Sequence, residues 1–119
     1  MAGLCAGISS LSATDLTIHL PDAAPVTRQK VLYQCDATGS QIGVSASPFW
    51  VEHISGGGNS LVIVPVSGNA LIFSNVFSGS GTRYTAQQYT WWEAKNTATL
   101  YSNSLTGKLQ TSCHPVSHK

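Results

Sequence analysis

Apolar and polar residues alternate along most of this chain with a period of two, the mark of strands half-buried against a core. Residues 15–20 place Leu16, Ile18 and Leu20 on one face and Thr17 and His19 on the other, which predicts a strand ended by Pro21 and Pro25. Residues 29–36 set Val31, Tyr33 and Cys35 on one face; 37–40 read as a turn, and 41–47 as the returning strand with Ile42 and Val44 inward. A further strand spans 48–54, closed flexibly by the glycine-rich stretch 55–60. The β-branched run 61–66 follows, its Pro65 pointing to an edge or a bulge. Ser67-Gly68-Asn69 is a hairpin turn from which 70–73 returns, and later strands are expected over 83–89, 90–94, 98–102 and 108–113. In a regular strand Trp91 and Trp92 face opposite ways, one into the core and one to solvent.

Short strands about ten residues apart, with turn signals between them and no helix longer than a turn or two, indicate a sandwich or a closed barrel. The chain reads as all-β, a single-domain antiparallel β-barrel of about eight short strands. An extension covers 1–30, the barrel 31–115 and a tail 116–119. The strand at 15–20 is either an edge strand added to the barrel or an arm pairing with a second copy into a homodimer.

Composition narrows the function. The chain has 119 residues, enough for one core, and only 9% are charged, six Lys+Arg against five Asp+Glu. With neither a basic stripe nor a basic helix, the charge balance argues against nucleic acid and membrane surfaces as partners, and the apolar runs are too short for a membrane span. Low charge with many Ser, Thr and Gly suits an exported β protein. Three cysteines stand at 5, 35 and 113. In an oxidising compartment Cys35 and Cys113 would close a loop of about 79 residues, worth roughly 4–5 kcal/mol on the chain-entropy model. Pairing of Cys5 with either stays open on the sequence, and Cys5 is read as a free thiol. Residues 1–7 lack the basic region and apolar length of a signal peptide and read as the remnant of a trimmed one.

Catalytic chemistry is not indicated. The carboxylates Asp15, Asp22, Asp36, Glu52 and Glu93 are scattered, and Ser78 stands where a Gly-x-Ser-x-Gly motif needs its first glycine. Gly107-Lys108 follows no phosphate-cradling loop. A Cys35–histidine nucleophile competes with a ready disulfide. His114 and His118 are four apart, but Pro115 sits between them in a terminal tail, so a metal site is not expected. The reading is a non-enzyme without cofactor or metal.

The stretch that remains is Ser78-Gly79-Ser80-Gly81-Thr82-Arg83-Tyr84, where small hydroxyls alternate with glycines that allow positive φ before an aromatic strand begins. It suits a thin loop entering another protein's cleft, and equally a common Ser-Gly hairpin turn. With Tyr33-x-Cys35-Asp36, Ser80-Gly81-x-x-Tyr84, Trp92, Ala98-x-Leu100 and Cys113 in this order, the sequence resembles the MliC/PliC family, membrane-bound and periplasmic inhibitors of C-type lysozyme from Gram-negative bacteria. The likeness covers roughly 31–115.

The resemblance implies a Cys35–Cys113 disulfide and a C-type lysozyme as partner. It also implies a Ser80 hydroxyl set between the lysozyme's two catalytic carboxyls, donating to one and accepting from the other. Gly79 and Gly81 then narrow the loop, Thr82 adds a hydroxyl, and Arg83 and Tyr84 brace its base, Arg83 by bonding loop carbonyls. The family's second contact is a lysine in Trp-x-Lys-Gly; here Ala94 takes the lysine place and Lys95 the glycine place, so either a local bulge brings Lys95 round or the contact is lost or replaced. Leu4 before Cys5 departs from the small-residue box of a lipoprotein and favours a soluble periplasmic form. At a net charge of +1, shape and hydrogen bonds would carry affinity for a basic lysozyme. The alternative is a small-ligand barrel of the envelope with Trp50, Trp91 and Trp92 lining its pocket.

Overall fold

The structure, a computed structural model, describes residues 13–21, 24–104 and 107–117. Eight strands follow one another around a closed barrel: β1 (Thr27–Cys35), β2 (Phe49–Gly56), β3 (Asn59–Val66), β4 (Asn69–Val76), β5 (Thr82–Ala86), β6 (Tyr89–Ala94), β7 (Thr97–Ser104) and β8 (Gly107–Pro115), each antiparallel to its neighbours. Tyr33 and Cys35 lie on the inward face, as the alternation in β1 predicts. Tyr33 and Cys35, Val51, Val62, Val64 and Val66, Phe73, Tyr84, Trp91, Leu100 and Cys113 fill the interior, each fully buried aliphatic contributing about 1.5–3 kcal/mol. Tyr33 meets Trp91 edge-on, ring centroids 5.1 Å apart.

Three hairpins turn on two residues of positive φ, the geometry whose twist matches the flanking strands: Gly57-Gly58, Ser67-Gly68 and Lys95-Asn96. The first corrects the flexible closure expected over 55–60, since consecutive glycines let β2 and β3 run to within two residues of each other. The strand expected over 83–89 likewise breaks at Gln87-Gln88, with Gln87 at φ 54° and Tyr89 opening β6.

Two expected strands are absent. Residues 41–47 instead hold the end of a helical turn, α1 (Gly39–Ile42), and the loop after it. Gly43 at φ 119° caps the turn, its N–H and that of Val44 both donating to the Gly39 carbonyl. Ile42 and Val44 still point inward, because a turn broken at Gly43 buries both as an alternating strand would. Residues 13–20 have no regular structure, and Leu16 and Ile18 are exposed. Alternation alone does not make a strand without a ladder partner, and β1 already pairs with β2 and β8.

The seam is short. β1 and β8 register only at Tyr33↔Pro115, Gln34↔His114 and Cys35↔Cys113. The Cys35–Cys113 disulfide crosses it. Asp36 ties the same seam: its carboxylate accepts from the Thr111 hydroxyl, the Ser112 N–H at 3.2 Å and the Thr38 N–H at 3.1 Å. Those bonds, that of Thr111 foremost, hold the Asp36 carboxyl below its usual range.

Candidate functional site

Between β4 and β5 the chain leaves the barrel at residues 77–81. The Ser80 carbonyl accepts two hydrogen bonds, from Ser78 Oγ at 2.6 Å and from Trp92 Nε1 at 3.0 Å. The loop tip is thus pinned by its backbone, while the exposed Ser80 hydroxyl has no hydrogen-bond partner among the described residues. Gly81 has φ +63°, and a Cβ there would lie 2.5 Å from the Glu93 carbonyl oxygen, 2.7 Å from Trp92 Nε1 and 3.0 Å from Ala94 Cβ. Conformation and space both demand glycine. Gly79 differs from that expectation: it does not adopt positive φ, and a Cβ would meet nothing within 4 Å.

Strand β6 supports the loop with alternate residues. Trp91 points into the core and Trp92 outward beneath the loop, the division their adjacency implies. The Arg83 guanidinium lies over the Trp92 ring, 5.7 Å from its centroid. It is Trp92, not Arg83, that bonds the loop carbonyl, a correction to the brace expected of Arg83. Thr82 opens β5 opposite Glu93 and is half-buried, so its hydroxyl is not on the protruding tip. Tyr84 is buried inside the barrel, with its hydroxyl 3.2 Å from Ser60 Oγ.

Glu93, the next inward residue of β6, ends a polar network in the barrel. Its carboxylate lies 2.5 Å from His53 Nε2 and accepts from Trp91 Nε1 at 2.8 Å and from the Tyr33 hydroxyl. Burial pushes the Glu93 carboxyl up, but the hydrogen bonds from His53, Trp91 and Tyr33 and the attraction of His53 outweigh it, leaving the carboxyl below its usual range. The Tyr33 hydroxyl is pushed well above its ordinary value, first by burial and then by the Glu93 charge and hydrogen bond. Sequence reading misses this network, because His53 and Glu93 lie 40 residues apart and only closure of the barrel joins them.

Lys95 sits at the tip of the β6–β7 hairpin at φ 54°, followed by Asn96 at φ 65°. The register runs unbroken from Tyr89↔Ser102 to Ala94↔Thr97, so no bulge brings Lys95 into the strand. The structure instead gives the glycine place a left-handed conformation, and a lysine occupies it. The tip borders the Ser-Gly loop, since Ala94 Cβ is the neighbour Gly81 would strike. Lys95 is exposed, and no carboxylate among the described residues pairs with it.

The fold therefore gathers Gly79, Ser80, Gly81, Arg83 and Lys95 on one rim with Trp92, while Cys35 and Cys113 serve the seam. Cys5 and His118 lie outside the described residues. No pocket forms from the tryptophans: Trp91 is core, Trp50 is exposed on the outer face of β2, and Trp92 underlies the loop. The open depression on the outer face is lined by Arg83, Thr90, Tyr101, Asn103 and Lys108 instead. Among the described residues no cluster of three His, Cys, Asp or Glu could hold a metal, and no helix is long and apolar enough to cross a membrane.

A family model described as membrane-bound lysozyme-inhibitor of c-type lysozyme, MliC, matches residues 33–108. The membrane-bound lysozyme inhibitor of C-type lysozyme from Pseudomonas aeruginosa is 41% identical over 87 residues, which is 72% of this chain and 62% of that protein. The chain thus spans less than two thirds of the length of that curated relative. The structure also superposes on that of Pseudomonas aeruginosa MliC in complex with hen egg white lysozyme, with a TM-score of 0.68 and 36% identity over 88% of this chain and 99% of the other.

Proposed function

The chain belongs to the MliC family of lysozyme inhibitors, and from that premise we propose that it inhibits a C-type lysozyme by placing the Ser80 loop in the enzyme's cleft. The observation that carries this is the split at Ser80, a backbone fixed by Ser78 and Trp92 and a hydroxyl left without a partner among the described residues. In a retaining glycosidase the two carboxyls stand about 5–5.5 Å apart, one protonated and one ionised. A hydroxyl accepting from the acid and donating to the carboxylate, at about 2.7 Å each, spans about that distance. It presents no glycosidic bond to cleave. Because the loop is already pinned, binding orders little, and less affinity is lost to entropy.

Lys95 brings a cation to the same rim from the hairpin tip and faces the ionised carboxylate from the side. Gly79, whose surroundings are open, keeps the loop narrow for the partner rather than for the fold. The chain has no catalytic role in this reading, and it works in the bacterial envelope, on the periplasmic side, where peptidoglycan needs protection. At a net charge of +1, affinity rests on hydrogen bonds and fit, so it varies little with salt.

The test is lysis of a cell-wall suspension by a C-type lysozyme titrated with the native protein and with Ser80→Arg. Stoichiometric inhibition by the first and none by the second is expected. Undiminished lysis at large excess of folded native protein would sink the proposal.

A further inference from the structure

Phe77 is 94% exposed, more than any other large apolar residue described. A lone exposed apolar residue is ordinary; the place of this one is not. It stands between Val76, the last residue of β4, and Ser78, whose hydroxyl closes the loop on Ser80. Ile72 and Val76, on the outer face of β4 with Ser74 between them, are also exposed, at 42% and 37%. Packing gives no reason for an aromatic at 77, because the ring covers almost nothing of its own barrel.

Ser80 follows Phe77 by three positions, at most about 10 Å of extended chain, and the turn closed by Ser78 shortens that. Whatever surrounds the Ser80 hydroxyl in a complex is therefore within reach of the Phe77 ring. In a C-type lysozyme the general acid lies in a hydrophobic pocket against a tryptophan, which keeps its proton on at neutral pH. The wall beside the serine's target is apolar and aromatic, the surface on which a phenyl ring gains most from losing water.

Resting on the inhibitor reading above, we propose that Phe77 is a second anchor of the interface, seating against the apolar wall beside the general acid while Ser80 occupies the space between the carboxyls. Ser80 supplies the polar complementarity and Phe77 the buried area, the pairing of aromatic anchor with polar contact that concentrates binding energy in a few residues. The anchor is built only in the complex.

The experiment compares binding of hen egg white lysozyme to native protein, Phe77→Ser, Phe77→Ala and Phe77→Tyr, with the melting temperature and sedimentation of each. Phe77→Ser and Phe77→Ala are expected to bind roughly 10- to 100-fold more weakly, mainly through faster dissociation, and Phe77→Tyr near native. All four should melt together, since the ring is exposed in the free protein. Native protein that binds tightly while Phe77→Ser binds within twofold of it would overturn this anchor and leave the inhibitor reading standing. Absence of native binding would overturn both. A native dimer that Phe77→Ser makes monomeric, with lysozyme affinity unchanged, would assign the ring to a second copy and overturn the proposal.

Discussion

The seam between β1 and β8 and the rim formed by the Ser80 loop and the Lys95 hairpin both carry the family's recognisable residues, and they use them in opposite ways. At the seam the family's residues are answered from within: Cys35 by Cys113, and Asp36 by Thr111, Ser112 and Thr38, while Tyr33 packs against Trp91. At the rim the Ser80 backbone is answered, by Ser78 and Trp92, and the side chains of Ser80, Lys95 and Phe77 are not. Among the described residues the Ser80 carbonyl takes two bonds and its hydroxyl none, and Lys95 has no carboxylate partner, while Phe77 faces water. The difference teaches how to sort motifs of equal prominence. A motif whose groups are satisfied inside the chain builds the fold, and one whose groups are held in place but left unsatisfied awaits a partner.

Breaking the seam should have the largest effect on stability and the least on recognition. Cys35→Ala with Cys113→Ala is expected to cost about 2–5 kcal/mol in urea unfolding, while the molecules that remain folded bind lysozyme as before. Breaking the rim's one structural demand comes next. Gly81→Ala forces a side chain into φ +63° against the Glu93 carbonyl and Trp92, a cost of about 1–3 kcal/mol, and should weaken inhibition as the loop shifts. Gly79→Ala, with open space around it, should leave the melting temperature unchanged and affect inhibition alone.

Acid sharpens the comparison further. Glu93 under the rim and Asp36 at the seam both titrate below their usual ranges in the folded state. Their contributions are therefore full above the unfolded carboxylate pKa, about 4, and are lost as pH falls through the folded values. The urea midpoint of the native protein should drop as pH goes from about 6 to about 3, and less so in Glu93→Gln, which cannot gain the proton. An unchanged slope would mean that the His53–Glu93 pair contributes nothing to the acid limb.

The smallest effect concerns the hairpin tip. Lys95→Gly relieves a left-handed lysine and should stabilise by about 0.5–1 kcal/mol, while weakening inhibition by removing the cation. Adding Ala94→Lys to it restores the family's Lys-Gly order, and inhibition titrations should show the double variant at least as tight as the native protein.

Much of this was legible in the chain. Period-two alternation located the eight strands because each buries one face only, and Ser67-Gly68 announced its own turn. The failures have physical causes. Ile42 and Val44 alternate in a helical turn broken at Gly43 as they would in a strand, and Leu16 and Ile18 alternate without a neighbour to pair with. Gly79 and Gly81 are identical letters, and only the packing of Glu93, Trp92 and Ala94 shows which one the backbone needs. That one of two adjacent tryptophans faces outward follows from the pleat, but that Trp92 holds the loop carbonyl depends on where β6 lies against it. Lys95 reads from the sequence as standing in the family's glycine place, and the structure gives that position φ 54°, a conformation glycine adopts without strain.

The most direct test of the division between seam and rim is hydrogen exchange of backbone amides in the free protein and in its complex with a C-type lysozyme. The expected result is new protection at residues 77–84 and 94–97, with exchange at 33–36 and 111–115 unchanged. Protection gathered at the seam or on the outer face of β2 and β3, with the Ser80 loop exchanging as in the free protein, would contradict it.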